Sequence, residues 1–262
     1  MAVLALSAIS SSPLFAQPTD ARPPESREAR DAGRRLLAAY PEHLASVEGN
    51  MLLWRDGTRM PIDDGLPPKA FAAWFSAPDL KDMFRQPYPA GAEAKAPAPE
   101  TDPGRARNAA FFRKMYGGCA NGDVTKRLVD VAWLPSRSKV KLKVTSINGV
   151  ADKLARVSAE LDALPASFNR FLLPPAGTYN CRPIAGTDQA SAHGYGIAID
   201  IAVKPSHYWR WSKPTASSQP VWENAIPIEI VRIFERHGFI WGGRWSHFDT
   251  MHFEYRPELL MP

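Results

Sequence analysis

The stretch GIAIDIAV, residues 196–203, constrains this chain more than any other. Read as a strand, it puts Ile197, Ile199, Ile201 and Val203 on one face and Ala198, Asp200 and Ala202 on the other. The branched face calls for a helix to pack against. The small face leaves room, and Asp200 is its one large polar group. An ionised carboxylate on a half-buried strand is costly unless it is paired or bound to a metal. His193 stands seven positions earlier, in a turn loosened by Gly194 and Gly196, so it can fold back toward Asp200.

A partner segment lies far downstream. MHFEY (251–255) reads as a strand with Met251, Phe253 and Tyr255 on one side and His252 and Glu254 on the other. If the two strands are neighbours, His193, Asp200 and His252 converge. Two imidazoles and one carboxylate with an open fourth position make a catalytic zinc site. Asp249, three residues before His252, cannot share its face in an extended segment, so a turn at Thr250 is expected to swing the carboxylate toward the metal's open side. Glu254 reads equally as a support behind His252 or as an exposed strand carboxylate. His247 reads mainly as a loop histidine, with a place lining the cleft as the other reading, and His207 and His237 as surface or helix-end residues. Trp209, Trp211, Trp241 and Trp245 read mainly as packing residues, with a rim that grips sugar or peptide as the other reading.

The rest of the chain frames these segments. A helix is expected over 25–44 with Ser26 as N-cap, then a hairpin at Asp56-Gly57, then helix broken at Pro78. Residues 87–106 are rich in Pro and Ala and read as a loop or linker. Strands are expected at 129–135 and 139–147, with Leu142 and Val144 facing inward. A helix follows over 151–165, with an extended stretch within 171–184. Residues 227–243 read as a helix with Ile228, Val231 and Phe234 inward, capped near Gly238 and followed by a short FIW strand. Helices and strands without a repeating βα rhythm imply an α+β fold, and the converging strands above place the expected zinc cleft on a small antiparallel sheet flanked by helices. The expected division is a signal segment (1–16), an N-terminal helical and hairpin region with linker (17–106), and a catalytic domain (107–262).

MAVLALSAISSSPLFAQ resembles the apolar core of a secretory signal, with Ala16 before a cleavable Gln17 but no Lys or Arg before Arg22. No later segment reaches the ~18 apolar residues of a membrane span, so no integral membrane segment is expected after processing. The formal charge of +5 is spread out, without the basic block of a nucleic-acid tail. An anionic cell wall explains it as well, and no nucleic-acid partner is expected. Cys119 and Cys181 are too few and too far apart for a metal cluster; a disulfide and two buried thiols both remain open.

Ser191, His193, Gly196, Ala198 and Asp200, with Asp249 and His252, resemble the LAS zinc peptidases, over roughly residues 135–257. That family includes D-Ala-D-Ala carboxypeptidases, vancomycin-resistance D,D-peptidases and L-alanyl-D-glutamate endopeptidases. WGGRWSHFDTMHFE (241–254) is most similar to the endopeptidase branch, where an aspartate stands three before the last histidine. The resemblance implies Zn²⁺ held by His193, Asp200 and His252, Asp249 as general base, and Arg182 aimed at the scissile carbonyl oxygen or a substrate carboxylate. Ser191 either binds substrate or caps the turn. The implied partners are peptidoglycan stem peptides, and the implied location is periplasmic or cell-wall associated. A D-Ala-D-Ala carboxypeptidase is the alternative within the enzyme class. Outside it stands a non-catalytic zinc-bearing wall-binding module, as in the Hedgehog signalling domain, which resembles this fold. Residues 17–130 carry no assigned motif, and no oligomeric state is implied.

Overall fold

The computed structural model describes residues 26–184, 186–187, 189–212 and 220–261. The expected signal segment lies outside the described residues. Helix α1 (Arg27–Ala39) starts where Ser26 caps it, its Oγ accepting the Ala29 N–H at 3.1 Å. It buries Ala29, Ala32 and Leu36. The helix stops at Tyr40, before the expected residue 44, because Pro41 cannot continue it. The chain enters β1 (Leu44–Glu48) instead.

Strands β2 (Met51–Trp54) and β3 (Arg59–Pro61) form the expected hairpin, extending β1 into a three-stranded antiparallel sheet. Gly57 takes φ +85° in its turn, and the Asp56 carboxylate accepts the Thr58 N–H. Helix α2 (Phe71–Ser76) ends ahead of Pro78 as expected. Residues 87–106 have no regular structure, yet Asp102 and Ala106 are fully buried. Residues 102–106 are packed into the protein, whereas most of 87–101 is exposed. Helix α3 (Ala109–Tyr116) follows, capped by Asn108.

The middle of the chain matches its pattern closely. Strands β4 (Leu128–Ala132) and β5 (Lys141–Thr145) pair antiparallel, with Leu142 and Val144 buried and Lys141 and Lys143 exposed. Helix α4 (Val150–Asp162) covers them and ends before Pro165, and a short α5 (Asn169–Leu172) leads into the extended segment.

The third sheet holds the site. Strand β6 (Ala198–Asp200), β7 (Phe239–Trp241) and β8 (His252–Tyr255) align antiparallel in the order β6-β8-β7. Ile197, Ile199 and Ile201 are fully buried, as the alternation requires. Val203 breaks the pattern and is exposed, because the strand has ended by Asp200. Helix α6 (Ile228–Arg236) packs on this sheet through Val231 and Phe234, while Ile228 is half-buried at the edge. The Phe234 ring stacks on Phe253 at 3.9 Å between centroids. After α6, Gly238 has φ +89°, and a Cβ there would lie 2.7 Å from the Tyr255 ring, so glycine is required. Residues of α1, the hairpin, the β4–β5 pair and the third sheet share one apolar core, and the architecture is α+β.

Cys119 and Cys181 form a disulfide with Cα atoms 5.6 Å apart. It ties the segment after α3 to the residue next to Arg182. Closing a loop with a sequence separation of 62 is worth roughly 2–4 kcal/mol. Titration of denatured, unreduced protein purified from an oxidising compartment is expected to find no free thiol. Two reactive thiols would refute the bridge.

Candidate active site

Pairing register places the first two site residues. Asp200 lies directly opposite His252 across β6 and β8, so both side chains leave the same face. His193 comes from a 3-10 turn, Ala192–Tyr195, whose N-cap is Ser191. The turn closes at Gly196 with φ +69°, where a Cβ would sit 2.8 Å from Leu128 and 3.1 Å from the Thr145 nitrogen. Only glycine lets the chain pass so close under β5, and Thr145 N–H bonds the Gly196 carbonyl at 2.9 Å. The turn thereby aims His193 back over Asp200.

Each imidazole has one nitrogen committed elsewhere. His193 donates from Nδ1 to the Thr178 carbonyl, and His252 from Nε2 to Glu254 Oε2 at 3.1 Å. That leaves His193 Nε2, His252 Nδ1 and Asp200 Oδ1 facing one another. They are separated by 3.1 Å between the imidazoles, 3.2 Å from His193 to Asp200, and 3.0 Å from His252 to Asp200. Ligands about 2.0–2.1 Å from a tetrahedral zinc would stand roughly 3.3 Å apart. The three atoms can hold a metal ion.

The electrostatics point the same way. Burial opposes charge on His252, yet hydrogen bonds to Asp200 and Glu254 carry its pKa up to about 10. Burial should raise the Asp200 carboxyl, but His193 and His252 hold it well below the usual carboxylate range. This anionic nest demands a positive charge, and a divalent cation can supply what a proton otherwise would.

Behind His252, Glu254 is fully buried. The Arg107 guanidinium holds its carboxyl well below the usual range against the pull of burial. Arg107 Nη1 reaches Glu254 Oε1 at 3.0 Å and Oε2 at 2.8 Å, and Arg256 Nη1 reaches Oε1 at 3.1 Å. Arg256 continues to Glu258 at 2.5 Å, and Glu258 to the Tyr40 hydroxyl at 2.6 Å. Of the two readings of Glu254, the fold adopts the support behind His252 and not the exposed strand carboxylate.

The expected turn around Thr250 is present, with the His252 N–H on the Asp249 carbonyl at 3.2 Å. Asp249 lines the same cleft as His193, His252, Ser191 and Arg182. It stands apart from the three converging atoms, and its Oδ1 is buried with no hydrogen-bond partner among the described residues. Burial pushes its pKa up to about 6; nearby Asp200 adds to the rise, and His252 and His193 oppose it. Ser191 caps the turn, its Oγ accepting the His193 N–H, and also faces the cleft. Arg182 is exposed at the mouth, where, among the described residues, its guanidinium bonds the Pro183 carbonyl at 3.5 Å.

Of its two readings, His247 takes the place lining the cleft, and its Nδ1 bonds Asp102 at 2.7 Å. Trp209 and Trp245 also line the cleft, Trp241 is in the core, and Trp211 is exposed. His207 pairs with Glu223 and His237 with Glu160, as surface residues do. A second carboxylate group, Asp63, Asp64 and Asp79, is already met by Lys69 and Lys81.

Residues 185–255 match the family model described as D-alanyl-D-alanine carboxypeptidase, a family of LAS-type zinc peptidases. The match holds His193, Asp200, Asp249 and His252, and bears out the resemblance read from those motifs. It stops short of Arg107, Asp102 and Arg182. No curated protein matches the chain.

Proposed function

We propose that this protein is an exported zinc-dependent peptidase that hydrolyses an amide bond in peptidoglycan stem peptides. The carrying observation is the trio of converging ligand atoms beside a carboxylate whose buried Oδ1 has no hydrogen-bond partner among the described residues. His193 Nε2, His252 Nδ1 and Asp200 would hold the metal, which when bound supplies Lewis acidity to the scissile carbonyl and the attacking water. Asp249 accepts the proton of that water and later returns it to the departing amine. Arg182, exposed at the cleft mouth, stabilises the negative charge that develops on the carbonyl oxygen; such a donor is worth about 10²–10³ in rate. Ser191 orients the substrate from the adjoining turn. Residues 107–262 are proposed as the catalytic domain, preceded by a signal segment (1–16) and an N-terminal region (17–106).

Within the class, WGGRWSHFDTMHFE favours an L-Ala-D-Glu endopeptidase, whereas the description of the matching family favours a D-Ala-D-Ala carboxypeptidase. Digesting purified muropeptides and weighing the products separates them: loss of terminal D-Ala identifies the carboxypeptidase, and release of whole peptides from L-Ala the endopeptidase. A metal that only braced the fold would need neither a carboxylate with a bare, buried Oδ1 at Asp249 nor an exposed guanidinium at the cleft from Arg182, which argues against a wall-binding module.

Elemental analysis is expected to find about one zinc per chain, and none in His193→Ala or His252→Ala. A folded wild-type protein that binds no metal, with activity indifferent to chelators, overturns the proposal.

A further inference from the structure

Asp102 belongs to the irregular segment 87–106, outside the matched family segment, yet it is fully buried at the cleft. Four donors converge on its carboxylate. They are His247 Nδ1 at 2.7 Å, the His247 backbone N–H at 3.1 Å, Ser246 Oγ at 2.9 Å and Arg105 Nη1 at 2.7 Å. Its own N–H is fixed by Gln86 Oε1 at 2.6 Å. Burial would raise its carboxyl, but the His247 hydrogen bond and the Arg105 charge bring it down to about 2, so it is an anion at any working pH.

That anion orients one ring. With Nδ1–H given to Asp102, a neutral His247 carries its lone pair on Nε2. The ring is stacked on Phe71 at 5.8 Å and met edge-on by Trp209 at 4.9 Å, so its plane is held on two sides. Nothing among the described residues bonds Nε2, although His193 and His252 have both nitrogens engaged. A histidine kept only for structure would have no need to leave its outer nitrogen in a cleft.

We infer that His247 is a substrate-binding residue whose Nε2 accepts a hydrogen bond from a neutral amide N–H of the peptide, with Asp102 as the positioning residue that fixes its tautomer. The inference rests on the peptidase reading above. Arg105 and Arg182 line the same cleft and disfavour an ammonium donor, which leaves the backbone amide as the matching group.

The test uses metal-loaded, full-length protein and the muropeptide that wild type cleaves. His247→Phe is expected to raise KM about 10-fold, the loss of one hydrogen bond, with kcat within about threefold. His247→Gln, which retains an acceptor, should recover much of the KM. Nitrogen-15 NMR should show the Nδ1–H tautomer at His247 in wild type and a shift toward Nε2–H in Asp102→Asn, whose KM should rise with it. An active wild type in which all three variants keep the native KM, or a His247 carrying its proton on Nε2, overturns this inference alone. A wild type that cleaves no stem peptide overturns the reading beneath it. Unchanged zinc content and unfolding temperature in His247→Gln guard against a trivial folding defect.

Discussion

Asp249→Asn is expected to fold, to hold zinc at the wild-type level, and to turn over about 10²–10⁴-fold more slowly, the usual range for a lost general base. Asparagine keeps the shape of the turn but cannot accept a proton. Asp249 must be ionised to act, and burial sets its carboxyl near 6 in the metal-free site. A bound cation pulls that value down, so the acid limb of kcat/KM in the loaded enzyme falls at or below about pH 6. Rate–pH profiles of wild type and variant check this, because the limb should vanish in the variant. A stability signature accompanies it. A carboxyl raised in the folded state favours folding below its unfolded pKa, near 4, and that benefit is lost as pH rises through about 6. Metal-free Asp249→Asn should therefore be more stable than metal-free wild type at pH 8 and lose that advantage near pH 4. Loss of zinc from the variant would make Asp249 a ligand, and wild-type turnover would remove it from the mechanism.

Arg107→Met is expected to destabilise the protein by about 3 kcal/mol, at the low end of the cost of breaking a buried ion pair, because Arg256 still reaches Glu254. On a typical total of about 5–15 kcal/mol that is a large fraction. The same variant should bind zinc about 10–100-fold more weakly, since Glu254 would no longer be held squarely behind His252. Urea unfolding of the metal-free protein reads the first effect and competition with a chelator the second. Adding Glu254→Gln to Arg107→Met should restore part of the stability but none of the metal affinity. If Arg107→Met alters neither quantity, the arginine is a spectator.

Much of this site was legible because strands write their geometry locally. A period of two, with branched residues on one side and small ones on the other, put Asp200 on an open face, and MHFEY put His252 and Glu254 on another. The register between β6 and β8 was the one missing fact. Asp249 followed from the same parity, since three residues from His252 demands a turn. Asp102 and Arg107 left no such trace. Their partners lie 145 and 147 residues away, and in DPGRARN they look like ordinary charges in a proline-rich loop. A cleft-lining place was open to His247 from its nearness to the motif, but the carboxylate that orients it is remote in sequence and left no sign. In the fold, the helix that should have run to residue 44 was a local misjudgement, with Pro41 in plain view.

The sheet order β6-β8-β7 also has a temporal side. The last strand of the described chain to leave the ribosome is the one that lies in the middle. Until β8 arrives, β6 and β7 have no hydrogen-bonded neighbour in common, and Asp200 faces His193 without His252. Contacts between residues so distant in sequence carry a loop-closure cost that local turns do not. The middle strand is what completes the trio, because it carries His252 and sets it opposite Asp200. Without β8 in place, Asp200 and His193 would lack their third partner.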